Sequence, residues 1–225
     1  MLRRLHPDIV AEEADLAEPG AWQAHVASAD VVVMLQAQIG DPAPEPFVRN
    51  NITSTEHVLA AMRRAPVLPY LVHISSSVVK SVANDHYTNT KKQQEAIVLA
   101  SGIPCVVLRP TLMFGWFDRK HLGWLSRFMR RVPVFPIPGN GRYMRQPLYA
   151  SDFSRIIVSC IEQRVTGAVY NISGRERVDH IDIIREIKRA TGAGSLIVKI
   201  PYGLFYLLLK PWALFDRNPP FTADQ

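Results

Sequence analysis

Two side chains in residues 85–95, DHYTNTKKQQE, have the types and spacing that suit proton transfer: Tyr87 and Lys91. Four residues apart on a helix they share a face, with Cβ atoms roughly 5–6 Å from one another. A phenol titrates near ~10 and is a poor base at neutral pH. A neighbouring cation favours the phenolate and makes it a candidate general acid or base. Spacing alone is weak evidence, since the tyrosines and lysines of this chain would give about 0.2 such pairs by chance. Context adds to it. Ser75-Ser76-Ser77 closes an apolar run just before, and LRPTLMFG follows just after. A serine there can hydrogen-bond a substrate oxygen while Tyr87 moves its proton. The competing reading is two surface side chains beside a serine-rich turn.

The elements that would position these residues follow from periodicity. ADVVVML, ending at Leu35, is a β-branched run that predicts a strand buried on both faces. NNITSTEHVLAAMRRA predicts an amphipathic helix carrying Ile52, Val58, Leu59 and Met62. YLVHISSS predicts a second strand, residues 87–100 a helix stopped near Gly102 and Pro104, and CVVLRP a third strand. Beyond these, HLGWLSRFMRRV reads as a helix and FPIPGNGRYMRQP as a Pro/Gly loop. Asp152 reads as the N-cap of a further helix rather than a catalyst. AVYNISG, HIDIIREIKRATG and SLIVKI then predict strand, helix and strand. Alternation from residue 31 to 200 argues for parallel strands in a doubly wound α/β sheet, with ligands beyond the carboxyl ends of the strands.

Seven segments in order resemble the extended short-chain dehydrogenase/reductases of the NAD-dependent epimerase/dehydratase type. ADL at 14–16 is similar to the family's acidic turn at the adenine ring, VVVMLQAQ to its strand end beside the cofactor, and NNITSTEHVLAAM to its N-x-x-G-T helix. ISSS with Tyr87 and Lys91 resembles its Ser–Tyr–Lys site, LRPTLMFG its segment at the nicotinamide, RQPLYASDFSRII its substrate strand and helix, and VYNISG its y-N-v-g-G. The resemblance implies that Tyr87 transfers the proton and that Lys91 binds the nicotinamide ribose and lowers the Tyr87 pKa. It implies that Ser76 orients the substrate oxygen, with Ser77 as the rival for substrate contact. Asp15, Leu16, Leu35, Gln36, Ala37 and Asn50 would line the cofactor, NAD or NADP, with Pro110 and Thr111 near the nicotinamide. Arg145 would meet the diphosphate of a nucleotide-sugar, which suits a planar bidentate donor. A homodimer is compatible with this reading.

The chain also departs from the family. No two glycines lie three apart, so the G-x-x-G-x-x-G turn that cradles a pyrophosphate is not in the sequence. The strand at Val31 corresponds to a later family strand. The expected architecture is thus a truncated Rossmann-like doubly wound sheet with a small C-terminal substrate lobe. Residues 1–115 would form a partial dinucleotide-binding core. Residues 116–225 would be mixed, with Rossmann elements returning at about 146–175. A fragment of a longer enzyme, a cofactor-free paralogue and a chain completed by a partner each account for the departure. The functional expectation is an epimerase, dehydratase or reductase. The alternatives are a non-catalytic binding or regulatory protein on the same fold, and a steroid- or lipid-type dehydrogenase at a membrane surface.

Composition narrows the classes. Of 225 residues, 48% are apolar and 20% charged, which is globular, and the net charge of +6 suits an anionic ligand. Basic residues are scattered, which speaks against nucleic acid. Cys105 and Cys160 sit in apolar segments and point to a reducing, cytoplasmic compartment. The histidines lack metal-ligand spacing, so no metal is expected. The apolar stretch Ile200 to Phe215, with Phe205, Lys210, Pro211 and Trp212, is too short and interrupted to span a bilayer, though its composition suits an interface.

Overall fold

The computed structural model describes residues 2–116, 118, 121–205 and 207. The chain packs as two units, one of residues 1–109 and 159–170, the other of residues 110–158 and 171–225. Most of the apolar stretch from Ile200 to Phe215 lies outside the described residues.

The first unit holds the predicted sheet. Helix α1 (Trp22–Ala27) leads to strand β1 (Val31–Met34); helix α2 (Ser54–Met62) leads to strand β2 (Tyr70–Ile74). Helix α3 (His86–Leu99) then leads to strand β3 (Cys105–Pro110). The strands run in the order β1–β2–β3–β5, where β5 is Ala168–Ile172, and β1, β2 and β3 pair in parallel. Every residue of β2 is buried, the signature of a strand covered on both faces. One face carries Leu71 and Val107 into a cluster with Val58, Leu59, Met62 and Val98. Of the helix pattern read from the sequence, Val58, Leu59 and Met62 fill this core, while Ile52 is only partly buried and lies outside the cluster. Tyr70, at the head of β2, hydrogen-bonds the carbonyls of Val165 (2.6 Å) and Cys160 (3.1 Å), holding the returning segment to the strand. Burial raises its phenol to about 12.

Two local features differ from the prediction. Strand β2 ends at Ile74, so the three serines lie past it; Ser76 caps a short 3-10 helix, Ser77–Lys80, by accepting from the Val78 N–H. And the helix read at residue 50 opens as a π-helix, Val48–Thr53, before continuing as α2. Ser54 donates to the Asn50 carbonyl (2.6 Å) and Thr55 to the Asn51 carbonyl (2.8 Å). Hydroxyls bonded four residues back compete for helix carbonyls, which fits a widened turn.

In the second unit, helix α4 (His121–Met129), strand β4 (Val134–Pro138), helix α5 (Ala150–Glu162, whose last turn belongs to the first unit), helix α6 (His180–Thr191) and strand β6 (Leu196–Ile200) follow. Strand β4 falls in a segment read as a loop, and β6 pairs with it in parallel rather than joining the main sheet. Both are edges of a two-stranded sheet, where Pro136 and Pro138 are tolerated. Phe135 and Ile137 pack with Leu125, Met129, Ile181 and Ile184. Asp152 is not the N-cap: α5 starts at Ala150, and Asp152 sits in its first turn beside Arg155 (3.3 Å).

Candidate active site

Tyr87 and Lys91 lie on α3, which starts cleanly because Asp85 caps it, accepting from the Thr88 N–H (2.8 Å) and hydroxyl (2.9 Å). Tyr87 is half-buried. Burial pushes its phenol up, a hydrogen bond with Ser76 pulls it down, and Asp85 pushes it up again; the net direction is upward. Of the three serines, Ser76 is the one that acts on the Tyr87 phenol. Ser75 is buried and donates to Glu95 (2.5 Å), and Ser77 begins the short 3-10 helix.

Lys91 is 1% exposed. Its ammonium donates to the Ile74 carbonyl (3.1 Å) and to Oε1 of Gln94 (2.5 Å). Burial lowers it to about 8, against a smaller upward pull from Glu95. The expectation that Lys91 lowers the Tyr87 phenol is not what this geometry shows: the ammonium is engaged by a strand-end carbonyl and an amide. Because its folded pKa lies below the unfolded 10.5, the unfolded chain binds more protons between about 8 and 10.5. Stability therefore rises with pH through that window. Lys91→Met should abolish this slope, worth about 3 kcal/mol at most. Denaturant melts of both proteins from pH 7 to 10.5 check it; parallel curves would refute it.

Beneath the lysine, Glu95 joins β3 to α3. Burial would raise its carboxyl, but hydrogen bonds from Arg109 and Ser75 and the nearby Arg109 and Lys91 charges hold it below its ordinary value. Arg109 grips both carboxylate oxygens, with Nε at 2.9 Å from Oε2 and an Nη2–Oε1 contact. His73 on β2 is 1% exposed, and neither ring nitrogen has a hydrogen-bond partner in the protein. Burial and then the Lys91 charge lower it to about 3. The folded state thus refuses a proton that the unfolded state accepts near ~6.5, and stability falls as pH drops from there toward about 3. His73→Phe should move the acid-unfolding midpoint, followed by circular dichroism, to lower pH.

A cleft of about 580 Å³ opens in the same unit, within the usual size of ligand sites. Asp15, Leu16, Gln36, Ala37 and Asn50 line it, with Gln38, Arg49 and Ser54. Leu35, exposed, precedes this wall. Arg49 bridges Asp15 (2.7 Å) and Glu18 (3.0 Å), and its hydrogen bond holds the Asp15 carboxyl below the ordinary range. Asn51 is fully buried below: it binds the Gln38 backbone on both sides (2.7 and 3.3 Å) and reaches the Thr90 hydroxyl (3.0 Å).

The remaining expected residues belong to the second unit. Pro110 closes β3, and Thr111 donates its N–H to the Ile172 carbonyl (2.9 Å) and its hydroxyl to the Gln146 carbonyl (2.7 Å). Arg145 is exposed and lies 5.2 Å from the centre of the Tyr143 ring, which stacks on His180. Burial and Arg145 lower His180 to about 4. Among the described residues no group of three or more His, Cys, Asp or Glu side chains could hold a metal ion, and no helix is long and apolar enough to cross a membrane.

The sequence pattern of the NAD dependent epimerase/dehydratase family matches residues 3–173. The chain belongs to that family. Members similar to it include the dTDP-glucose 4,6-dehydratase of Streptomyces niveus, 27% identical over 77% of this chain and 58% of that protein. The dTDP-glucose 4,6-dehydratase of Escherichia coli is 34% identical over 52% of this chain and 34% of that one. The structure resembles the UDP-glucuronic acid 4-epimerase of Bacillus cereus solved with NAD (TM-score 0.69, 25% identity, 83% of this chain and 68% of that one). The dTDP-glucose 4,6-dehydratase of Bacillus anthracis shares the fold (TM-score 0.73, 20% identity, 89% of this chain and 70% of that one). The chain spans between 24% and 58% of the length of the first three curated relatives it matches. Within this epimerase/dehydratase fold, sequence reasoning overlooked Asn51, Thr55, Gln94 and Glu95. The signal for Glu95 was its place four residues after Lys91, on the same face.

Proposed function

We propose that this protein acts on a nucleotide-sugar as an NAD- or NADP-dependent epimerase, dehydratase or reductase. The observation that carries the reading is the placement of Ser76 and Tyr87 just beyond the carboxyl end of β2, with Lys91 one turn further along the helix and its ammonium held on the last carbonyl of that strand. Ser76 accepts from Val78 and so has its own proton to offer to an oxygen at Tyr87. Tyr87, held as a neutral phenol by burial, is a proton donor in the reductive direction and a proton acceptor once ionised. In the oxidative direction the sugar hydroxyl would give its proton to the Tyr87 phenolate, formed beforehand by loss of the phenol proton to solvent, as the carbon becomes a ketone. A bound nicotinamide would supply the hydride acceptor.

The cleft residues fit the adenosine half of such a cofactor. Asp15 offers a carboxylate to an exocyclic amine, Leu16 and Ala37 offer apolar walls, and Gln36 and Asn50 offer amides. Among the described residues of this unit no glycine-rich turn joins a strand to a helix, so this half carries the fit. Pro110 and Thr111 as nicotinamide contacts and Arg145 as a diphosphate contact stay part of the proposal by resemblance. Unpaired, buried Cys105 and Cys160 support a cytoplasmic setting.

The test is calorimetry with NAD and NADP, followed by incubation with UDP- and dTDP-sugars and detection of a keto sugar. Binding with keto-sugar formation is the expected result. Absence of both would favour a non-catalytic binding protein on this fold.

A further inference from the structure

Gln94 is 0% exposed and stands three residues after Lys91 on α3. Its Oε1 accepts from the Lys91 ammonium at 2.5 Å and its Nε2 donates to the Thr55 hydroxyl at 2.8 Å. That hydroxyl has already given its single proton to the Asn51 carbonyl (2.8 Å) and also accepts from Nε2 of Gln36 (3.4 Å). An oxygen in that position can only accept, so the Gln94 amide has one orientation, nitrogen to Thr55 and oxygen to Lys91. The charged and titratable groups around the ammonium are Glu95 on its own helix and His73 on β2, with Arg109 on β3 tied to Glu95. Tyr87 stands one turn before it. None of these makes a hydrogen bond to the ammonium; the two acceptors are Ile74 and Gln94.

We infer that Gln94 is a positioning residue for Lys91: its amide oxygen, oriented by Thr55, fixes where the ammonium rests and keeps it charged inside the fold. Thr55 also contacts Gln36 on the cleft wall, so the same hydroxyl sets the lysine and one side of the candidate cofactor cleft. The inference deepens the proposed function and rests on its reading of Lys91 as part of the site.

The experiment follows the Lys91 titration by NMR of the protein carrying ¹³C-labelled lysine, without cofactor or substrate, and assigns it with Lys91→Met. Gln94→Glu places a carboxylate against the ammonium and should raise the lysine pKa by about one unit, a tenfold change in the proton equilibrium. Gln94→Met removes the acceptor and should lower it by a similar amount. Thr55→Val should lower it in the same direction, and the double variant Thr55→Val/Gln94→Met should go no further than Gln94→Met alone. A merely structural Gln94 would change the melting temperature of these variants and leave the lysine titration in place. An unmoved titration in both Gln94 variants, or additive shifts in the double variant, overturns the inference. Where keto-sugar formation is measurable, the alkaline limb of its pH profile should move with the lysine. A shifted lysine with an unmoved limb leaves Gln94 as the positioning residue and counts against Lys91 in the proposed chemistry.

Discussion

Replacing Tyr87 by Phe should cut keto-sugar formation by about 10²- to 10⁴-fold, the usual contribution of one positioned acid–base group. The ring keeps its half-buried place on α3, and only the hydroxyl is lost. NAD or NADP affinity, read by calorimetry, should stay within about twofold, because the phenol does not line the cleft. Turnover equal to the wild type would remove Tyr87 from the chemistry. Equal loss of turnover and of cofactor affinity would make its role structural. Ser76→Ala offers a graded companion: it removes a hydrogen bond that pulls the phenol down and leaves the phenol itself.

The second large effect concerns stability. Glu95 and Arg109 are an ion pair with side chains 7% and 13% exposed, joining the helix that carries Tyr87 to the central strand β3. Glu95→Ala would leave Arg109 charged, shielded from water and without its partner, at a cost of about 3–5 kcal/mol. The midpoint of urea denaturation would report it, at unchanged slope. Replacing both partners by apolar residues should recover most of the loss, since the penalty lies in the orphaned charge more than in the pair's net contribution. A loss below about 1 kcal/mol for Glu95→Ala would show that water reaches Arg109. Ser75, which also bonds Glu95, would then lose its fixed partner, so the effect extends to the first residue after β2.

What the sequence disclosed and what it withheld divide along physical lines. Strand β2 (YLVHI) was legible as an apolar run buried on both faces, whereas β1 (VVVM), read the same way, stands at the edge of the sheet with its three valines only partly buried. Helix α3 was legible from its termination near Gly102 and Pro104, while its Asp85 cap came to light only in the fold. Strand β4 was not, because prolines at 136 and 138 mimic a loop, and only pairing with β6 shows that their missing donors face outward from a ladder. The partnership of Tyr87 with Ser76 rather than with Lys91 was also hidden. Helical spacing says which side chains share a face, but the length and flexibility of a lysine let it reach a strand-end carbonyl instead. Asn51 was passed over for Asn50 because adjacent identical residues carry no sign of which one points inward; in the fold Asn50 lines the cleft and Asn51 is buried.

The π-helical turn at Val48–Thr53 bears on how this segment can change in length. Such a turn accommodates one more residue than an α-helical turn, and each residue of an α-helix advances by about 100°. Loss of one residue here would restore ordinary winding while sparing α2 and its core contacts. Because the residue lost is the one the wide turn holds in excess, the segment before it would keep its place, and the change would fall within the turn itself, on Arg49 and Asn50 at the cleft wall and on the Arg49 bridge to Asp15. A single-codon deletion in this stretch is therefore a route by which a chain of this kind keeps its fold and reshapes one wall of its cleft.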